Sequence, residues 1–190
     1  SLCGLFAQEY VPTHGRELPR GGLLAYPSAE AATAADGGDN RYFTRLTEWN
    51  LQGNVFSTDF TVPFAWANRQ VLFHLGWASG DYEVRVNGHP AAYNTDGNTP
   101  AEFNLTKLTK EGRNTLEIIV AQPSPTAPLE SWKEAPRPAI GGAWVMSQPT
   151  LYIRDVVTRT RLAEDGSATA EVAIVLKSNA LNPRTSRIHY

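Results

Sequence analysis

The chain has 190 residues, 42% hydrophobic and 19% charged, with 17 basic against 19 acidic side chains and a net charge of -2. This composition belongs to a globular chain and excludes a disordered one; with no Lys/Arg-rich stripe to neutralise phosphates, nucleic acid is not expected as a partner. The single cysteine, Cys3, excludes an intrachain disulfide and a thiolate metal cluster, and no apolar run reaches the ~20 residues a membrane-spanning helix needs.

The opening stretch SLCGLFAQ reads in two ways. It resembles the tail of a secretory signal peptide or propeptide, which would make the protein secreted or periplasmic, or it is a buried strand with Leu2, Leu5 and Phe6 in the core. Without an initiator Met, the only Met being Met146, the sequence reads as a piece of a longer protein. Residues 1–40 are expected to be irregular: Tyr26 to Asn40 is rich in Ala, Gly and Asp, although AEAATAA can form a short helix.

From Asn54 the signal becomes β. In VFSTDFTVP, Phe56, Phe60 and Val62 share one face and Val55, Ser57, Asp59 and Thr61 the other, and Pro63, lacking an amide hydrogen, ends the ladder. QVLFHLGWA alternates Val71, Phe73, Leu75 and Trp77 against Leu72, His74 and Gly76; DYEVRV alternates Tyr82, Val84 and Val86 against Glu83 and Arg85. Asn87-Gly88 tolerates the positive φ angles of a type I′ turn, so HPAAYN runs back beside DYEVRV.

A polar return from Asn94 to Asn98 follows, its side chains suited to bonding their own backbone, before Thr99-Pro100 fixes an extended turn and Phe103 and Leu105 re-enter the core. KEGRN turns the chain into NTLEIIVAQ, where Leu116, Ile118 and Val120 alternate with polar positions. Pro123, Pro125, Pro128, Pro136 and Pro138 make the next segment an excursion outside any sheet, around Leu129 and Trp132. Strand character returns in AWVMS and LYIRDVVTRTRL, and Glu164-Asp165-Gly166 turns into SATAEVAIVLKSN. Two strands in so few residues cannot bury enough apolar surface alone and must lean on something else.

Strands spaced by turns, with almost no amphipathic helix and no internal repeat, predict an all-β protein: a jelly-roll, galactose-binding-like β-sandwich over 1–150, then an incomplete immunoglobulin-like β-sandwich over 151–190.

One ordered set of residues points further. Gly76, Tyr82, Val86-Asn87-Gly88, Tyr93 with Asp96, Thr99 to Phe103, and Gly112, Asn114 and Leu116 together resemble the N-terminal sugar-binding domain of glycoside hydrolase family 2, the β-galactosidase-like enzymes. FSTDFTVP resembles the family's preceding strand, and the last two strands resemble the start of its immunoglobulin-like domain.

The resemblance implies that this is the non-catalytic N-terminal portion of a glycosidase hydrolysing O-glycosidic bonds. The two catalytic carboxylates, ~5–5.5 Å apart in a retaining enzyme, would come from a central barrel outside this chain. No catalytic residue and no cofactor is then expected here. The implied partners are that catalytic domain and, through the full-length enzyme, a galactoside or related glycan. In the family, the loop equivalent to Ser124–Gly142 carries Leu-Glu-Asp-x-Asp-x-Trp, whose acidic residues reach the barrel's sugar pocket. Here Leu129-Glu130 matches, but Ser131 replaces the first Asp, Trp132 comes early, and Gly142-Ala143-Trp144-Val145 replaces Gly-Ile-Phe-Arg-Asp.

The candidate carbohydrate contacts are therefore Trp132 and Glu130 in the proline-rich loop and Asn94 and Asp96 in the polar corner. Beside each stands a plainer reading: Trp132 plugs its loop onto the sandwich, and Asn94 and Asp96 satisfy a turn. Trp77 is expected in the core. Glu130 with Glu134, and Asp81 with Glu83, are expected to be surface charges, because nothing around them would hold a catalytic pair. His14, His74, His89 and His189 are too scattered for a metal site, His74 reading as a satisfied strand residue. Two rival functions remain at this stage: a free-standing carbohydrate-binding module and an extracellular interaction domain.

Overall fold

The computed structural model describes residues 13–17, 26, 28–34, 41–122, 124–126, 137–180 and 185–188. Cys3, Leu2, Leu5, Phe6, His189 and the loop residues Leu129, Glu130, Ser131, Trp132 and Glu134 lie outside them. In chain order the strands are β1 Arg16–Glu17, β2 Phe43–Arg45, β3 Asn50–Gln52, β4 Val55–Val62, β5 Gln70–Ala78, β6 Tyr82–Val86, β7 His89–Asn94, β8 Ala101–Asn104, β9 Gly112–Val120, β10 Ile140–Gln148, β11 Leu151–Leu162 and β12 Ala168–Ser178. A short helix, α1, covers Ala29–Thr33 within AEAATAA, capped by the Ser28 hydroxyl, which accepts from the Ala31 amide.

All pairings are antiparallel, and the expected all-β class holds. One five-stranded sheet runs β1-β8-β5-β10-β2, another runs β3-β4-β9-β6-β7, and β11-β12 forms a separate hairpin. The first two sheets share one core: Phe73, Leu75, Phe103 and Val145 from one meet Phe56, Phe60, Val84 and Ile118 from the other. Tyr82 on β6 meets Phe103 on β8 edge-on, centroids 6.0 Å apart, joining the two layers. Phe56, Phe60 and Val62 are buried as their alternation predicts, each such burial contributing about 1.5–3 kcal/mol. Central β5 is buried on both faces from Val71 to Leu75, Leu72 and His74 included.

The Asn87-Gly88 turn has φ 51° and 78°, the left-handed pair of a type I′ turn. Asn87 does more than permit the bend, since its amide donates to Leu108 O and to Asn114 Oδ1, both at 2.9 Å. Pro90 is tolerated on β7, the end strand of its sheet, beside a register shift between Val84 and Arg85.

Within the stretch expected to be irregular, residues 14–17 close the open side of the sandwich. His14 pairs with Tyr93 on the edge of one sheet, while Arg16 and Glu17 pair with Phe103 and Glu102 on the edge of the other. Gly15, at φ 71°, makes the crossing; a β-carbon there would meet Ala91 O at 2.7 Å and Ala92 Cβ at 2.8 Å.

The hairpin turns at Gly166 (φ 84°), with Asp165 accepting from the Ser167 amide and hydroxyl. By its register, one face carries Ile153, Val156, Thr158, Thr160 and Leu162 beside Leu176, Ile174, Val172 and Ala170, and the other carries Arg159, Arg161 and Glu171. Leu162 and Val172 are exposed on the apolar face. One ion pair ties the hairpin to the sandwich, the Lys177 ammonium lying 2.6 Å from the Glu17 carboxylate, while most of the hairpin's residues stay exposed.

Candidate functional site

The chain gathers its polar corner at the end of the sandwich where β7 hands over to β8. Arg16 organises it from β1. Its guanidinium donates to Asn94 Oδ1 at 3.3 Å, Thr99 Oγ1 at 2.9 Å and Pro100 O at 3.2 Å, and lies 3.9 Å from Asp96 Oδ2. Asp96 Oδ1 accepts from the Asn98 and Thr99 amides at 3.0 and 3.2 Å, and Oδ2 from the Thr99 hydroxyl. This is the side-chain-to-backbone bonding such residues offer a turn.

Asn94 and Asp96 thus come together, but at different depths. Asn94 is wholly buried; its amide donates to Tyr82 OH at 3.0 Å and to Asp96 O. Asp96 keeps 32% of its side chain exposed. Burial pushes the Tyr82 phenol up to about 12, the Asn94 hydrogen bond and the Arg16 charge opposing that rise.

Two side chains at this end differ from expectation. Asp81 is 1% exposed rather than a surface charge. Its carboxylate accepts the Ser124 hydroxyl at 2.8 Å, the Thr126 hydroxyl and, at 3.4 Å, the Tyr93 phenol. The Asp81 amide donates in turn to Ser124 Oγ at 3.1 Å. A carboxylate can be buried when hydroxyls replace its water, and here two come from the segment after β9 and one from Tyr93 on β7. Glu83 behaves as expected, half-exposed and bound to Arg85 at 2.7 Å.

Trp77, expected in the core, is 46% exposed. It shares the face of Phe73 and Leu75, but it sits where β5 reaches the rim of the sandwich. Its indole lies across Gly141 on β10, directly opposite in register, where a β-carbon would strike the ring nitrogen. The two glycines at 141 and 142 extend β10 to Ile140, three residues earlier than the sequence suggests, and leave that room.

His74, Trp144, Trp66 and Trp49 are held by packing or by backbone hydrogen bonds. His74 stacks on Trp144, centroids 3.7 Å apart and planes within 6°, with Nδ1 3.6 Å from Glu102. Trp66 is core and donates to Arg41 O at 2.8 Å; Trp49 donates to Leu46 O at 3.2 Å. Among the described residues no three His, Cys, Asp or Glu side chains converge to hold a metal ion, and no helix is long and apolar enough to cross a membrane.

The corner thus presents one partly exposed carboxylate, Asp96, beside one partly exposed guanidinium, Arg16. Of the described carboxylates there, Asp81 is enclosed by hydroxyls and Asp96 is held by its own turn, so these two are not poised as nucleophile and acid.

No family model matches the chain. Its sandwich is that of known glycosidases: it superimposes on a β-glycosidase from Bacteroides vulgatus with a TM-score of 0.55 at 19% identity, over 67% of this chain and 16% of that one. A β-D-glucuronidase of Dictyoglomus thermophilum gives 0.51 at 21% identity, over 64% and 25%. In sequence the chain resembles β-galactosidases. That of Priestia megaterium (strain DSM 319 / IMG 1521) is 28% identical over 135 residues, 68% of this chain and 13% of that protein. That of Lactococcus lactis subsp. lactis (strain IL1403) is 30% identical over 133 residues, 68% and 11%. The chain thus spans little more than a tenth of the length of these relatives, and the resemblance to β-galactosidase-like glycoside hydrolases drawn from the sequence holds.

Proposed function

We propose that this chain is the non-catalytic N-terminal portion of a β-galactosidase-like glycoside hydrolase, a rigid sandwich that buttresses a catalytic barrel and shapes the rim of its sugar pocket. The observation that carries the reading is the match of the sandwich to glycosidases that are several times longer than this chain. Lacking a catalytic carboxylate pair at its corner, the sandwich contributes shape and hydrogen bonds to catalysis, not proton transfer. The hairpin supports the same reading: its uncharged face suits the opening strands of an immunoglobulin-like module over 151–190, the jelly-roll module occupying 1–150. Carbohydrate contact falls to Asp96 and Asn94 at the corner, with Glu130 and Trp132, outside the described residues, as the candidates from the proline-rich loop. The ligand is a galactoside or related glycan, and the setting secreted or periplasmic.

Activity assays test this. The purified 190-residue chain should leave aryl β-galactosides intact, whereas the longer polypeptide from the same reading frame should hydrolyse them and lose solubility when residues 1–178 are deleted. Turnover by the chain alone, or a longer polypeptide without glycosidase activity, overturns the proposal.

A further inference from the structure

The most exposed aromatic of the described sandwich lies at its other end. Phe64 is 76% exposed, while Trp66, two residues on, is 3% exposed. The short turn that carries both is pinned. Trp66 and Ala67 amides donate to Pro63 O and Phe64 O at 2.8 and 2.9 Å, the Arg69 amide donates to Trp66 O at 3.2 Å, and the buried indole donates to Arg41 O. Asn68 closes the turn at φ 59°. The Phe64 ring is therefore held in water by a fixed backbone.

An isolated exposed apolar side chain needs no explanation, but this one forms the wall of a cleft. The cleft measures about 190 Å³ and is lined by Val62, Phe64, Asn68, Thr109, Lys110 and Glu111, among others. The side chains of Asn68, Lys110 and Glu111 make no hydrogen bond or ion pair to another described residue. Among the described residues, donors of two kinds and an acceptor thus line the cleft beside the exposed Phe64. β8 separates this place from the polar corner, entering at Ala101 beside Pro100 and leaving at Asn104 toward Leu105 and Glu111.

The chemistry narrows the ligand. A drug-sized molecule fills roughly 300–1,000 Å³, so the cleft takes something nearer a single ring. An apolar ligand would strip water from Lys110 and Glu111 without replacing it; of the lining cations Arg69 is already bonded to Ser147 and lies over the Tyr42 ring, so Lys110 and Glu111 offset each other and favour a neutral ligand. A pyranose fits both demands: its C–H face packs on an aromatic ring, and its hydroxyls donate and accept around the edge.

We propose that the cleft beside Phe64 is a saccharide subsite of the chain's own, taking one neutral pyranose ring stacked on Phe64 with its hydroxyls bonded to Asn68, Lys110 and Glu111. This goes beyond the reading above, because it requires neither a barrel nor the Asp96 corner. It would hold a glycan at the end of the sandwich remote from that corner.

The test titrates the 190-residue chain with methyl β-galactopyranoside and with lactose, following backbone amides and saturation transfer by NMR, with sorbitol as the open-chain control. Saturable millimolar binding is expected, with shifts at Asn68 and Thr109 and transfer to ring C–H protons. Phe64→Ala should weaken it about ten-fold or more, and Phe64→Trp should preserve it. Because Phe64 is so exposed, the Ala variant should melt like the parent; if it does not, the amide shifts of the parent chain decide. Absent saturation, binding that survives Phe64→Ala, equal binding of sorbitol, or shifts confined to residues 94–99 would each overturn the proposal, the last leaving the corner as the sugar contact. Failure here would leave the glycosidase reading standing, since that rests on the longer polypeptide.

Discussion

Ser124 donates its hydroxyl to the Asp81 carboxylate at 2.8 Å and receives the Asp81 amide in return at 3.1 Å, so two positions 43 residues apart clasp each other out of water. Through Thr126, which bonds both Asp81 and Thr95 O, the same clasp reaches the polar corner.

Replacing Asp81 should therefore act on stability and on the corner together. Asp81→Ala leaves buried hydroxyls without an acceptor and should cost about 2–4 kcal/mol. Asp81→Asn keeps one acceptor and should cost roughly half as much. Urea unfolding of the three proteins checks the order; equal stability of Asp81→Ala and the parent would contradict the burial.

Gly15→Ala forces a β-carbon into Ala91 and Ala92 at a left-handed φ. We expect a loss of about 1–3 kcal/mol, with faster hydrogen exchange at the His14 and Tyr93 amides, which bond each other across the crossing.

The two tryptophans Trp66 and Trp77 should separate sharply. Trp66→Ala empties a core position and should cost about 3–5 kcal/mol. Trp77→Ala removes a ring resting on Gly141 at the rim and should cost about 1 kcal/mol. Fluorescence should follow suit, with acrylamide quenching Trp77 readily and Trp66 poorly.

Alkali should destabilise the sandwich through Tyr82. Its phenol titrates near 12 when folded and near 10 when unfolded, so above about pH 10 the unfolded chain sheds a proton that the folded chain retains. The stability this group contributes is complete below pH 10 and declines as pH rises toward 12. Tyr82→Phe should flatten that limb of a stability-against-pH curve; an unchanged limb would show that Tyr82 does not carry it.

Much of the sandwich was legible in the sequence because its signals are local. Alternation put Phe56, Phe60 and Val62 inside, and Asn87-Gly88 marked a bend only left-handed residues make without strain. What escaped was non-local. Period-two alternation gave Trp77 the correct face, but not that the sheet ends there against a glycine. Asp81 read as a surface charge because its partners lie beyond a further hairpin and strand. Arg16 carries no motif, yet it ties Asn94, Asp96 and Thr99 together. The turn bonding of the corner was readable, since Asp and Asn satisfy backbone amides two or three residues on. Trp132 and Glu130 stand outside the described residues.

The crossing at residues 14–17 also sets a timetable. Its partners are Tyr93, Phe103 and Glu102 and, for Glu17, Lys177, so a nascent chain that has already released these early residues from the ribosome must leave them unattached until some ninety positions later have emerged. Such long-range closure is entropically late. The segment is synthesised before its partners and can seat only once β7 and β8 have emerged, and a chaperone or protease acting on the half-made sandwich would find its flank open there.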